Sequence, residues 1–450
     1  MFDAYQMTML VAGLLGLVLF GTHIAVALGV TAALGVYLMM GDMEVVTSFL
    51  ANTAYEAIRD YIFAVIPLFI LMGEFLARCG AARDLFALVN RVMAWLPGRL
   101  GVATVIANAL FAFVTGVSIA AAAAFSRIAY PEMKRHGYQR RFALATIASS
   151  ACLGMLIPPS VLMIVWGVIT EQSIGSLFLA GVVPGLIVVA AFSVYIIGTA
   201  ILNPSIVGEA KAQARALSAA VPAIDDEEAE PSVISALLGT AIIICLIVGV
   251  LGGIWAGFFT PTEGAGVGAA GALVIGLMKG LRAKEISEVV LTVGRTTAPL
   301  LLLLVMAQIY SRVLSMTGVT GAVQTFFLDT GLPPLAILGL MILIWFVLGC
   351  VIDSISIILL TVPVFAPIAS ALGFDPLAFA IIGIISIEAG LLTPPFGILV
   401  FTVKASLPHE RVRVGEIFKG AIPFWLVLLG TVVLIIFVPE TANWLPYLGR

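Results

Sequence analysis

The sequence predicts an all-α membrane protein that crosses the bilayer many times and is built from two related halves. Of its 450 residues, 62% are hydrophobic and only 10% are charged, whereas soluble domains carry about 25% charged residues. A pair of adjacent prolines interrupts a long apolar run once in each half, at Pro158-Pro159 and Pro394-Pro395. The net charge of −3 gives no sign of a nucleic-acid partner. The apolar composition makes the lipid bilayer the expected surrounding.

Apolar runs of sufficient length predict about ten transmembrane helices, since a crossing helix needs roughly 20 apolar residues. These runs cover 7–20, 23–40, 62–77, 142–169, 177–201, 233–256, 262–278, 297–311, 377–403 and 421–438. Two further stretches, 96–130 and 332–371, each contain two shorter apolar arms joined by a turn. We expect these two stretches to form re-entrant helical hairpins, which enter and leave the membrane on the same side.

The basic residues predict the orientation, because loops on the cytoplasmic side carry an excess of Lys and Arg. With the N-terminus outside, all of the 22 Lys and Arg residues except Arg59, Arg312 and Arg450 fall on the cytoplasmic side. This arrangement puts both termini in the periplasm. Counting either hairpin as two crossings leaves the sides unchanged, so charge alone does not prove that the hairpins are re-entrant.

The proline pairs predict that the runs 142–169 and 377–403 are broken helices. Each pair removes two backbone donors and pushes the preceding residue away from helical geometry. Unwound backbone is tolerated inside a membrane only where protein buries it or where it lines a cavity. Interruptions at corresponding positions of two halves indicate the binding site of a secondary transporter.

A shift of 236 residues relates the two halves and divides the chain into three parts. It places Pro158-Pro159 on Pro394-Pro395 and Ser118 on Ser354. Five crossings separate the hairpins, so the second repeat is upside down relative to the first, as in transporters that work by alternating access. We expect a first inverted repeat at 1–202, a cytoplasmic linker at 203–231 and a second inverted repeat at 232–450.

The hairpin tips and the helix breaks supply the candidate site, because they gather backbone carbonyls, hydroxyls and carboxylates. Oxygen ligands of this kind bind hard cations such as sodium. The candidate sodium ligands are Gly116, Ser118, Pro158, Ser160, Asp353, Ser354, Thr393, Pro394 and Gly397. The candidate substrate-binding residues are Thr115, Pro159, Pro395 and Glu388.

Plainer roles remain open for some of these residues. Gly116 can simply make a turn, and the Ser118 hydroxyl can bond back to its own helix. A charged carboxylate at mid-membrane raises the free energy of membrane insertion by about 2.5–3.5 kcal/mol. Such a residue usually marks an ion pathway or forms an ion pair. Glu388 is therefore either part of such a path or a protonated structural donor.

Enzymatic activity and bound cofactors are not expected. The sequence contains no HExxH zinc motif, no GxxxxGK[ST] phosphate loop and no cysteine–histidine pair. Without a nucleotide site, active transport has to be driven by an ion gradient or by another subunit.

Several dispersed motifs resemble the large membrane subunit of TRAP (tripartite ATP-independent periplasmic) transporters. They are the segments 125–138 (FSRIAYPEMKRHGY), 154–160 (GMLIPPS), 173–185 (SIGSLFLAGVVPG), 259–263 (FTPTE) and 392–397 (LTPPFG). The first hairpin tip of that family often reads Gly-Ser-Ser, whereas this chain has Gly116-Val117-Ser118 and so lacks one expected hydroxyl.

The resemblance implies an elevator-type transporter, a permease in the cytoplasmic (inner) membrane of a bacterium or archaeon that imports organic acids, such as C4-dicarboxylates. Sodium would be the coupling ion. It also implies two partners, a periplasmic substrate-binding protein and a small four-span membrane subunit. The alternative is a stand-alone ion-coupled carboxylate carrier of the wider ion-transporter superfamily. Uptake by the isolated chain would favour that alternative.

Overall fold

The computed structural model describes residues 4–208 and 233–448, and the regular elements in these ranges are helices. Residues 209–231 of the expected linker lie outside the described ranges. The first-half helices are α1 (Ala4–Leu19), α2 (Ile24–Met40), α3 (Met43–Arg59), α4 (Val65–Arg78), α5 (Ala81–Val92), α6 (Arg99–Thr115), α7 (Ser118–Arg135), α8 (Arg140–Ala151), α9 (Leu153–Leu156), α10 (Val161–Thr170) and α11 (Ile174–Leu202). A 3₁₀ turn, Tyr61–Ala64, precedes α4.

The second half repeats this order with fewer interruptions. Its helices are α12 (Val233–Trp255), α13 (Pro261–Met278), α14 (Ala283–Thr317), α15 (Val319–Asp329), α16 (Pro334–Gly349), α17 (Ser354–Ala371), α18 (Pro376–Gly390), α19 (Ile398–Ala405), α20 (Val414–Phe437) and α21 (Glu440–Tyr447).

By length and composition, seven helical segments in the described residues can cross a membrane. They are Tyr61–Arg78, Arg140–Thr170, Ile174–Leu202, Pro261–Met278, Ala283–Thr317, Ser354–Ala371 and Val414–Phe437. Six further apolar helices of 10–17 residues are shorter, among them Ile24–Met40 and both first arms of the hairpins. The all-α, multi-pass class predicted from the sequence is thus confirmed.

Several helices extend beyond the apolar runs from which they were predicted. Helix α14 covers Ala283–Thr317, whereas the run predicted only 297–311. Its first turns carry Lys284, Glu285 and Glu288, so they escape a search for apolar residues. Three shorter helices, α5, α15 and α21, were not predicted. Helix α3 also lies outside the predicted apolar runs.

Helix boundaries follow the same 236-residue shift as the motifs. The shift carries α7 from positions 118–135 to 354–371, which are the bounds of α17. It carries the start of α8 from Arg140 to Pro376, where α18 begins. The peptide bonds Pro158-Pro159 and Pro394-Pro395 are both cis. The 236-residue shift therefore relates helix boundaries and cis peptide bonds as well as sequence motifs.

Helices of the first half also pack on helices of the second half. Helix α4 of the first half packs on α13 of the second, and α2 packs on α14. Since the shift relates α2 to α13 and the region of α4 to the end of α14, these two contacts are equivalents of each other. This reciprocal packing places α2, α4, α13 and α14 together, as a layer beside the hairpins and broken helices.

A buried aromatic cluster joins the two halves at the hairpins. The Trp166 ring of α10 lies 5.9 Å from the Trp345 ring of α16 and 5.9 Å from the Phe379 ring of α18. The Trp345 Nε1–H donates to the Thr361 hydroxyl at 2.8 Å, which fixes α16 against α17. Gly383 makes room for the two indoles, because a Cβ there would lie 2.9 Å from Trp166 and 3.0 Å from Trp345.

Ion pairs tie the base of the first hairpin to the second half on the predicted cytoplasmic side. Lys134 Nζ lies 2.5 Å from Glu410 Oε1, and Arg140 Nε lies 3.3 Å from Glu416 Oε2. The hydrogen bond from Lys134 lowers the pKa of the Glu410 carboxyl from its ordinary value. The positive charges of Lys134 and Arg140 are therefore partly neutralised by acidic side chains of the second half.

We expect cysteine labelling to reproduce the predicted orientation. In a background without the four native cysteines, thiols at Arg140 and Lys284 should react with an impermeant maleimide only from the cytoplasm. Thiols at Glu171 and Asp375 should react only from the periplasm, since few basic residues flank them. The exposed side chains at 140, 171 and 284 make three of these sites accessible. Periplasmic labelling at position 140 would contradict the orientation and the inversion of the repeats.

Candidate functional site

The tip of the first hairpin packs backbone to backbone on the first helix break. Gly116 ends α6 with φ 61°, a left-handed conformation that glycine adopts without strain. Its carbonyl accepts a hydrogen bond from the Val161 N–H at 3.2 Å. A Cβ at position 116 would overlap with the carbonyl oxygen of Pro159. The close approach of the tip to the break therefore requires glycine at this position.

The tip of the second hairpin meets the second break in a similar way. The Cys350 carbonyl accepts a hydrogen bond from the Phe396 N–H at 3.0 Å. A Cβ at Gly349 would lie 2.6 Å from the Ile387 carbonyl oxygen, so α16 and α18 cross at a small-residue contact. Asp353 caps α17, accepting from the Ser356 N–H at 3.0 Å and from the Ser356 hydroxyl at 2.5 Å.

A cavity of about 230 Å³ lies between the two hairpin tips. Its polar lining consists of side chains from both tips and from the two helices beside them, namely Ser118, Thr296, Asp353, Ser354 and Glu388. The rest of the wall is apolar and is formed by Ile70, Val117, Ile119, Met155, Val161, Leu300, Ile355, Leu391 and Ile398. None of the described residues that line it is Lys, Arg or His.

Glu388 connects the two tips within this cavity. Its side chain is 1% exposed and lies on α18, just before the second break. The Ser118 hydroxyl donates to Glu388 Oε2 at 2.7 Å, and the Ser354 hydroxyl donates to Oε1 at 3.0 Å. The sequence left the partner of Ser118 open between its own helix and the site, and the structure directs this hydroxyl to Glu388.

Other hydroxyls of the predicted set are held by nearby backbone and do not line the cavity. The Ser160 hydroxyl donates to the Met155 carbonyl at 2.5 Å, and the Thr393 hydroxyl donates to the Gly390 carbonyl at 2.7 Å. The Thr115 hydroxyl donates to the Phe111 carbonyl at 3.2 Å. Their bonds stabilise the breaks and the tip rather than reach into the open space.

The two breaks have different surroundings although the shift makes them equivalent. Pro158 and Pro159 are buried, whereas Pro394 and Pro395 are exposed, and Gly397 beside them is buried. Asp353 at the second tip is exposed as well, while Ser118 at the first tip is buried. The structure therefore holds the two repeats in unequal environments around one cavity.

Sequence reasoning missed the wall that the neighbouring helices provide. Ile70 comes from α4, and Thr296 and Leu300 come from α14. Pro299 lies between these two residues inside α14 and was a usable signal, because a proline within a long apolar helix marks a distortion. Ile70 lies in an ordinary apolar run, and nothing in its local sequence distinguishes it.

The polar side chains that line the cavity offer only oxygen atoms as possible ligands. The described residues contain no group of three or more His, Cys, Asp or Glu side chains placed to hold a metal ion. The available groups are the hydroxyls of Ser118, Thr296 and Ser354 and the carboxyls of Asp353 and Glu388. Hard cations prefer oxygen ligands of this type.

An all-helical multi-pass membrane protein with paired hairpins and helix breaks around one cavity is a membrane transporter by architecture. The family model described as tripartite ATP-independent periplasmic transporter, DctM component, matches residues 11–441. The chain therefore belongs to this family, and it is the large permease subunit of a TRAP transporter. The resemblance seen in the motifs is confirmed.

The chain is similar in sequence to two named relatives and in fold to one solved structure. It is 33% identical to the C4-dicarboxylate TRAP transporter large permease protein of Pseudomonas aeruginosa, over 93% of this chain and 94% of the relative. It is 30% identical to the ectoine TRAP transporter large permease protein of Halomonas elongata, over 97% and 98%. The YdaH transporter structure from Alcanivorax borkumensis matches with a TM-score of 0.62 at 15% identity, covering 90% of each chain.

These comparisons bear on the earlier expectations in different degrees. The relatives are named as permease proteins of transporters, in agreement with the expectation that the chain is not an enzyme. The similarity to YdaH concerns the fold alone, because the identity is low. The two relatives are named for different substrates, so family membership leaves the substrate of this chain open.

Proposed function

We propose that this permease imports an organic acid, such as a C4-dicarboxylate, across the inner membrane and is driven by an inward sodium gradient. The observation that carries the proposal is the cavity in which Ser118, Asp353, Ser354 and Glu388 meet. Hydroxyl and carboxylate oxygens from both repeats line one space, and such oxygens are suitable sodium ligands. Bound sodium would also supply the positive charge that an anionic substrate needs in a wall without basic side chains.

An ion gradient is sufficient to replace ATP in this process. Each positive charge that moves inward gains about 2.3 kcal/mol per 100 mV of membrane potential. At 100 mV, two net charges moving inward would therefore supply roughly 4.6 kcal/mol. This free energy corresponds to more than a thousandfold accumulation of substrate. The sequence contains no phosphate-binding loop that would offer a different energy source.

The proposed moving part consists of the two hairpins and the two broken helices. It would slide or rock against the layer formed by α2, α4, α13 and α14, so that the cavity opens to each side in turn. The unequal exposure of the equivalent breaks supports this motion, since exchange of the two environments would produce the opposite state. Ile70, Thr296 and Leu300 are the cavity residues that this layer contributes.

Two partners complete the proposal. A periplasmic binding protein would deliver the substrate, and a small four-span membrane subunit would support the layer formed by α2, α4, α13 and α14. The support for both is membership in a tripartite family. In such a system the binding protein selects the substrate, which agrees with relatives of one fold being named for C4-dicarboxylate and for ectoine.

Reconstitution tests the proposal directly. Proteoliposomes that contain the chain with its small subunit should accumulate substrate only when the loaded binding protein and an inward sodium gradient are both present. Uptake should collapse when sodium is replaced by choline at constant osmolarity or when any one component is omitted. Uptake of free substrate by the isolated chain with sodium would instead support a stand-alone carrier, and ATP-dependent uptake would contradict both.

A further inference from the structure

Ser118 and Ser354 are equivalent residues of the two repeats, and they share one acceptor. The 236-residue shift carries position 118 to 354, and each serine begins the second arm of its hairpin. Both hydroxyls donate to the same carboxyl, that of Glu388, at 2.7 and 3.0 Å. A symmetric pair of tips therefore converges on a single side chain.

The shared acceptor itself has no symmetric counterpart. The same shift relates Glu388 to Cys152, whose thiol donates to the Ser149 carbonyl at 2.7 Å. Strict symmetry would have provided one carboxyl for each tip, whereas this chain carries the carboxyl only in the second repeat. Ser118 consequently bonds across the repeat boundary, to a residue 270 positions further along the chain.

The hydrogen bonds decide how the serine oxygens can act in the cavity. A hydroxyl has one proton to donate and two lone pairs to offer. Each serine directs its proton to Glu388, so its lone pairs are left to face a ligand. Donation to a carboxylate also increases the electron density on the hydroxyl oxygen, which makes it a better ligand for a hard cation.

We propose that Glu388 is a positioning residue that orients the hydroxyls of both hairpin tips toward the cavity and so couples cation binding between the two repeats. A cation held by one serine fixes the carboxyl in the bridging position, and the second serine is then already oriented. Occupation of one half thus favours occupation of the other. This inference rests on the proposed sodium coupling, and it names the residue that makes the coupling cooperative.

The informative substitution is Glu388→Gln, because the amide keeps the size of the side chain but offers one acceptor oxygen instead of two. One serine retains its partner, and the other faces an N–H donor that occupies its lone pair. We expect the sodium concentration for half-saturation to rise about tenfold or more, as for other groups that orient metal ligands. The Hill coefficient for sodium should fall from above one to about one.

Sodium binding to the purified full-length chain, followed with radioactive sodium in lipid nanodiscs, gives a readout that does not depend on transport. The control variant is Ser126→Ala, whose hydroxyl bonds back to the Ala122 carbonyl of its own helix. It should retain the sodium affinity and the Hill coefficient of the wild type. A Glu388→Gln protein with wild-type affinity and cooperativity would overturn the inference.

A double-substitution cycle provides the test if Glu388→Gln does not fold. Ser118→Ala and Ser354→Ala should weaken sodium binding by less together than the sum of their separate effects, because both act through one carboxyl. Additive effects of the two serine substitutions would overturn the inference and leave the proposed function in place. Absence of sodium binding in the wild type would instead remove the proposed sodium coupling, so the two failures are distinguishable.

Discussion

Replacing Gly116 by Ala should reduce uptake by at least about tenfold while much of the protein still reaches the membrane. The left-handed backbone at φ 61° costs an L-residue roughly 1–2 kcal/mol. The added Cβ also overlaps with the Pro159 carbonyl oxygen, and overpacking of this kind costs about 1–3 kcal/mol more. Uptake into proteoliposomes, normalised to the amount of folded protein, measures the effect.

Gly373 provides the matched control for this substitution. It has a similar left-handed backbone, with φ 82°, but a Cβ there would meet nothing within 4 Å. Gly373→Ala therefore carries the backbone strain without the overlap, and it should lose some thermal stability but retain nearly normal uptake. Equal losses of uptake in the two variants would show that the contact between tip and break is not important for transport.

Replacing Asp353 by Ala should raise the sodium concentration for half-maximal uptake about tenfold or more. The substitution removes a carboxylate from the cavity wall, and it also removes the N-cap of α17. Loss of an N-cap costs about 0.5–2 kcal/mol of stability, so the two effects have to be separated. Asp353→Asn separates them, because asparagine keeps the cap but not the charge. The sodium requirement should rise in both variants, and the melting temperature should fall mainly in Asp353→Ala.

Asp375→Ala serves as the control for the capping effect. Asp375 caps α18 by accepting from the N–H groups of Leu377 at 3.0 Å and Ala378 at 2.8 Å, and it does not line the cavity. Its replacement should lower the melting temperature without a change in the sodium requirement. A normal sodium requirement in both Asp353 variants would show that this carboxylate takes no part in ion coupling.

The sequence predicted structural features correctly where they depend on the chemistry of neighbouring residues. Adjacent prolines cannot continue a helix, so Pro158-Pro159 and Pro394-Pro395 predicted the two breaks, and the structure ends α9 and α18 shortly before them. The turn of the first hairpin at Gly116 was also visible, because a glycine interrupts the apolar arms. The start of α14 was not predicted, because its first helical turns carry charged residues. Hydropathy detects membrane burial and not helix formation.

The sequence by itself determined the class of the protein, because composition is a local property. It also predicted a repeated organisation and offered the hairpin tips as candidate site, because proline geometry is local as well. Only the tertiary structure decided which candidates share a space. It brought Ser118, Ser354, Asp353 and Glu388 together and directed the hydroxyls of Ser160 and Thr393 to nearby backbone. It also supplied Thr296 from a helix outside the motifs. Contacts between residues 270 positions apart, such as that of Ser118 with Glu388, depend on how the two repeats pack, and no local pattern records that packing.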